Sequence, residues 1–264
     1  LLFAVAPALA PVVGGYLQEW WGWRSVFGFM VAGSIALLAW TWIALPETHP
    51  PAARVPLDAG SLARGYADVL TRREFQLLAG TIAFNFSTFF VYIMSAPVFI
   101  MRHLGMGATD FGWFFIPVVG GMMLGARLSG RLAGRISSRR TANFGFTLML
   151  AGVAANVAIQ LGVAPGMAKG GLLTFLSIAP LVVSAVGQSM VTPSAQMLMM
   201  DLFPKNRGMV SSGQGFTQVM LSSMVAGIIA PLVSDTPVHL ALTGAAFLAA
   251  GGACWMTYLR LRRR

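Results

Sequence analysis

The chain has 264 residues, of which 56% are hydrophobic and only 10% charged, with a formal net charge of +10. About 25% charged residues is usual for a soluble domain, so a single water-facing globule is excluded and a polytopic membrane protein is indicated. The basic residues are split among short segments and make no continuous stripe for a nucleic acid, and the single cysteine, Cys254, rules out an intrachain disulfide.

The first apolar run, residues 1–18, contains "APALAPVVGGYL" at 6–17. Pro11 removes a backbone hydrogen bond and can bend a helix. Gly14 and Gly15 remove side-chain bulk, so a neighbouring helix can approach closely. Pro7 adds a second potential bend. The run starts at Leu1 without a positively charged leader, so it reads as a span whose beginning is missing and not as a signal peptide. On this reading the chain is a fragment of a longer protein. Further uncharged runs follow at 26–45, 75–101, 111–126, 141–168, 170–200, 208–234 and 236–259. Roughly 20 apolar residues cross a bilayer as a helix, and no barrel-like alternation is present. Eight transmembrane helices are expected.

The polar interval 46–74 opens Pro-rich. It ends in 62–70, where Leu62, Tyr66, Val69 and Leu70 share one helical face, as in a helix lying on a membrane surface. It divides the chain into 1–46, two helices closing one bundle; 47–74, a cytoplasmic linker; and 75–264, a complete six-helix bundle. Of the 18 Lys and Arg residues, only Arg24, Arg102 and Lys169 lie in the odd-numbered loops. The rest lie in the even loops and the C-terminal tail. The positive-inside rule puts those loops and the C-terminus in the cytoplasm.

These features resemble the major facilitator superfamily, whose twelve helices form two halves joined by a long cytoplasmic loop. The eight spans here are similar to its helices five to twelve. Pro11, Gly14 and Gly15 match the Pro-x-x-Gly-Gly core of the antiporter motif in drug–proton exporters, with Ala10 where glycine usually precedes the proline. "WGWRSVFGFM" (21–30) and "LPET" (45–48) look like the segments bounding the sixth helix in the Bcr/CflA drug-resistance branch. The resemblance implies an all-α fold in a bacterial inner membrane, with the proton gradient as energy source and no cofactor. It also implies that the first helix lies at the interface between halves. A well-packed kinked helix with no part in coupling is the other reading.

"RLSGRLAGRISSRR" (127–140) spaces Arg127, Arg131 and Arg135 four apart, which places them on one helical face. Gly121 with Gly125, and Gly130 with Gly134, are small-xxx-small pairs. The stretch resembles a degenerate copy of the superfamily's loop-two-three motif without its acid. Either it is a cytoplasmic gate that borrows a carboxylate such as Asp201, or it is a topology anchor only.

No Asp, Glu, Lys or Arg sits mid-span. A buried ionisable group is the usual mark of a proton relay, so the titrating carboxylate is expected in the missing N-terminal helices. His239, near an end of the last run, reads as interfacial. Ser184, Gln188, Thr192 and Gln196 recur every four residues, as do Gln214, Gln218 and Ser222. In lipid such side chains either line a cavity or hold helices together. Asn85, Phe89 and Tyr92 share a face of their helix, and Phe86 and Phe115 are further aromatic candidates. Such walls suit a bulky amphipathic ligand, or else simple packing. Pro97, Pro117, Pro180, Pro193 and Pro231 are expected to interrupt their spans. The function expected is export of amphipathic compounds in exchange for protons by alternating access. The alternatives are a metabolite carrier on the same fold or a non-transporting membrane scaffold. No nucleophilic or metal-binding motif suggests an enzyme.

Overall fold

The computed structural model describes residues 2–47, 58–107, 110–204 and 206–262. These are all-α apart from turns and short connections. Contacts divide them into Leu2–Leu62 and Ala63–Arg264.

The first unit is a helical hairpin. Its helices are α1 (Leu2–Trp21) and α2 (Trp23–Ala44). One residue, Gly22, separates them at φ 76°, a left-handed conformation that glycine adopts without a Cβ penalty. Ser25 Oγ donates to the carbonyls of Leu17 (2.8 Å) and Gly22 (2.7 Å), which fixes the turn. Helix α1 runs unbroken through Pro7 and Pro11, whose side chains lie outside the described residues.

The second unit begins within α3 (Ala59–Leu70). The Asp58 carboxylate starts that helix by accepting from the Ser61 N–H at 2.8 Å. Its apolar face is docked on protein in part: Val69 is fully buried beside Phe75 and Val210, and Tyr66 Oη shares a hydrogen bond with Ser212 Oγ at 2.8 Å, while Leu62 and Leu70 stay exposed. The surface helix expected over 62–70 therefore exists, but it rests on the bundle at Val69.

The bundle comprises α4 (Arg73–Met94), α5 (Phe111–Leu132), α6 (Ser138–Ala158), α7 (Gly171–Leu202), α8 (Arg207–Met224) with the short α9 (Ala230–Val233), and α10 (Pro237–Leu261). Wider π-helical turns extend α4, α6 and α8 at Val98–His103, Ile159–Val163 and Val225–Ile229. Pro97 and Pro231 flank two of these turns. Pro117, Pro180 and Pro193, expected to interrupt their spans, sit inside continuous helices. Proline is tolerated in membrane helices because neighbouring groups satisfy the freed backbone.

Seven helices among the described residues are long and apolar enough to cross a membrane, and α1 adds a 20-residue apolar helix. Helix α7 lies between α5 and α6, while α4 packs on α10 and α8 and meets α7 across the centre. The close approaches are made by glycine. A Cβ on Gly121 would stand 2.8 Å from the Val182 carbonyl oxygen, and one on Gly125 would collide with the Val186 carbonyl. On the other side of α7, a Cβ on Gly145 would lie 2.7 Å from the Gly187 carbonyl oxygen. Backbone thus packs on backbone, the arrangement by which membrane helices associate without a hydrophobic driving force. Of the second small-residue pair, Gly130 faces open space and Gly134 (φ 79°) turns the chain after α5.

The polarity is the reverse of a soluble protein's. Thr81, Asn85, Ser87, Asn156, Gln160, Ser177 and Gln188 are buried, whereas Trp113, Ile116, Leu150, Phe175 and Val219 are exposed. An apolar exterior with polar groups turned inward suits a lipid surrounding.

Candidate functional site

Several of the buried polar groups meet between α4, α6 and α7. Tyr92 from α4 and Asn156 from α6 are both almost fully buried, and Asn156 Nδ2 donates to Tyr92 Oη at 2.6 Å. Around them, Thr88, Phe89, Ser184 and Gln188 line a small cavity of about 10 Å³. That space suits about one water molecule. Thr88 and Ser184 direct their hydroxyls to carbonyls of their own helices, at Phe84 (3.2 Å) and Pro180 (3.1 Å). The Asn156 Oδ1 acceptor has no partner. One turn further along, Gln160 Nε2 donates to Ser177 Oγ at 3.2 Å. Two hydrogen bonds thus tie α6 and its π turn to α4 and α7.

Four of the residues singled out from the sequence, Phe89, Tyr92, Ser184 and Gln188, come together in this cavity. Phe89 also stacks on Phe114 with centroids 6.2 Å apart, which closes α4 against α5. Asn85 lies apart from them. It faces Gly251 of α10, and neither its Nδ2 nor its Oδ1 has a partner. Phe86 stacks on Phe90 (5.2 Å) and Phe115 on Phe111 (6.4 Å), and both Phe86 and Phe115 are half-buried. Thr192 and Gln196 are half-buried on α7. On α8, Gln214 Nε2 donates to Gln218 Oε1 at 2.9 Å, so one bond links the two amides along the helix. Among the described residues, nothing lies within 4 Å of a Cβ placed on Gly14 or Gly15.

The arginine segment departs from the helical face expected of it. Helix α5 ends at Leu132, so Arg127 and Arg131 lie on it while Arg135 belongs to the turn that Gly134 begins. All three are exposed, as is Asp201 in the last turn of α7. Among the described residues, none of the three pairs with Asp201.

Asn156 and Thr88 were missed in the sequence. The signal for Asn156 was present: it is an amide within an uncharged run, the same criterion that selected Gln188. Gln160, four residues on, repeats the spacing that marked the other stripes, and the pair was passed over.

The sequence matches the family model of the Major Facilitator Superfamily over residues 1–231. It is 26% identical over 116 residues to the bicyclomycin resistance protein homolog of Haemophilus influenzae, covering 44% of this chain and 29% of that protein. It is 29% identical over 188 residues to the chloramphenicol resistance protein of Pseudomonas aeruginosa, covering 68% and 44%. It is 28% identical over 120 residues to the multidrug resistance protein MdtM of Salmonella typhimurium, covering 46% and 29%. The chain therefore spans less than half the length of these curated relatives.

Proposed function

The chain belongs to the major facilitator superfamily, and from that premise we propose that it is part of a Bcr/CflA-like exporter of amphipathic compounds, driven by proton antiport through alternating access. The observation that carries the reading is the family match together with relatives named for bicyclomycin, chloramphenicol and multidrug resistance. The chemistry of the bundle is consistent with it. Its centre offers hydroxyls, amides and aromatic rings without a fixed charge, which suits weakly hydrogen-bonding ligands of mixed polarity.

In this reading α1 and α2 correspond to the last two helices of one half and α4 to α10 to the whole of the other. Gly14 and Gly15 would give α1 a smooth face for packing across the interface, with Pro11 as the bend. Residues 47–74 are the cytoplasmic linker, and the C-terminus is cytoplasmic. The central cavity is too small for a drug-sized molecule, so substrate would be held between the halves. Phe86, Phe115, Thr192, Gln196 and Gln218, all half-buried, supply the wall from this side. The proton-binding carboxylate would come from the other half, since no acid lies mid-span here.

The test is drug accumulation in efflux-deficient bacteria carrying the intact reading frame, with and without a protonophore. The reading expects chloramphenicol or ethidium to be excluded only while the gradient stands. Exclusion that survives collapse of the gradient overturns proton antiport, and accumulation equal to the empty vector overturns export of those compounds.

A further inference from the structure

A second recess lies away from the polar centre. Trp113 and Pro117 of α5 and Phe175, Ala179 and Val182 of α7 line a groove of about 770 Å³, within the range of ligand clefts. Phe175, Ala179 and Val182 recur at four and three residues, whereas Ser184 and Gln188 point to the central cavity from another face of the same helix. Trp113 and Phe175 are about two-thirds exposed, at 68% and 65%.

The groove is polar at one end only. Lys169 and Asp110 stand at its mouth, beside the start of α7 at Gly171. From Gly171 to Val182 the helix advances roughly 16 Å at 1.5 Å per residue, about half of a 30 Å hydrocarbon core. One acyl chain of one leaflet fits that depth. The mouth is built to hold charge in place. Lys169 Nζ donates to the Arg102 carbonyl at 2.9 Å, and its stem packs over Gly105, where a Cβ would lie 2.9 Å from Lys169 Cδ. Two ammonium N–H groups remain for a ligand. Asp110 Oδ2 accepts from the Gly107 N–H at 2.9 Å, leaving Oδ1. Lys169 and Asp110 line one mouth, and among the described residues they form no ion pair with each other. Lys169 is also one of only three Lys or Arg residues in the odd-numbered loops, so its place at a groove is not explained by topology signalling.

We propose that this groove binds one phospholipid with a primary-amine headgroup. Its phosphate sits at Lys169, its ammonium at Asp110 and one acyl chain along α5 and α7. A net-negative headgroup would set its charge against Asp110, and a quaternary choline has no N–H to give the carboxylate.

The experiment is native mass spectrometry of the purified chain in detergent, with phosphatidylethanolamine, phosphatidylcholine or phosphatidylglycerol added at equal concentration. Phosphatidylethanolamine is expected to be retained about fivefold more than either competitor, the factor that one charged contact near a membrane surface supplies. Asp110→Asn should remove that preference, Lys169→Ala should lower retention of all three lipids because each carries the phosphate it holds, and Lys169→Arg should keep both retention and preference. Ala179→Trp, which fills the groove, should reduce retention of all three lipids. If Lys169→Ala lowers helicity, Asp110→Asn and Lys169→Arg carry the comparison. Equal retention of the three lipids, preference for phosphatidylglycerol, or an unchanged preference in Asp110→Asn overturns the proposal. Lipid retention is read without transport, so this outcome stands apart from the exporter reading.

Discussion

The Tyr92–Asn156 hydrogen bond gives a quantitative test of how the bundle centre is held. Tyr92→Phe deletes one oxygen and leaves Asn156 Nδ2 without its 2.6 Å acceptor, in a residue whose Oδ1 already has no partner. Both side chains are at most 2% exposed, so bulk solvent cannot compensate. Interhelical hydrogen bonds in membrane proteins average about 0.6 kcal/mol and reach about 1.7. A buried donor left unpaired costs about 1–3 kcal/mol. The expected loss is therefore about 1–2 kcal/mol, near the upper end for a membrane hydrogen bond. Asn156→Leu removes the orphaned amide as well, so the double variant Tyr92→Phe with Asn156→Leu should be more stable than Tyr92→Phe alone. The coupling should be about 1 kcal/mol. Reversible unfolding of the purified chain in SDS mixed micelles, followed by circular dichroism, measures all four states of the cycle. Strict additivity, or a Tyr92→Phe variant as stable as the parent, refutes the reasoning. It would mean that a water in the small cavity takes over the amide.

The glycine contacts predict a contrast between neighbouring positions. Gly125→Leu must push α5 off the Val186 carbonyl and should cost about 1–3 kcal/mol, read as a lower thermal midpoint, whereas Gly130→Leu faces open space and should leave it unchanged. Val69→Asp buries an unpaired carboxylate where the parent side chain is 0% exposed; α3 should detach and become sensitive to limited proteolysis, while Ala67→Asp on its exposed face should not. The proposed orientation is checked by labelling single cysteines in a Cys254→Ala background of intact cells. Arg131→Cys should react only after permeabilisation and Gly170→Cys without it, and the reverse pattern would invert the topology.

Composition alone made the membrane class legible, because transfer of a segment into lipid depends on its summed polarity and not on its neighbours. The helix at 62–70 was also readable, since Asp58 caps it locally and its apolar residues recur at helical spacing. Single residues fixed the corrections. Gly134 stops the face that Arg127 and Arg131 share before it reaches Arg135, and a spacing of four cannot reveal where a helix ends. The four-residue spacing of Gln214 and Gln218 was legible, but only the structure shows that one amide donates to the other.

The partners inside the bundle belong to the tertiary structure. Tyr92 and Asn156 are 64 residues apart, and they meet because glycines on α6 and α10 let those helices close on α7 and α4. Sequence determined which segments enter lipid and that their polar groups must turn inward. Which amide finds which hydroxyl was decided by helix faces brought together over long separations, where a rotation of one residue, about 100°, would replace every contact.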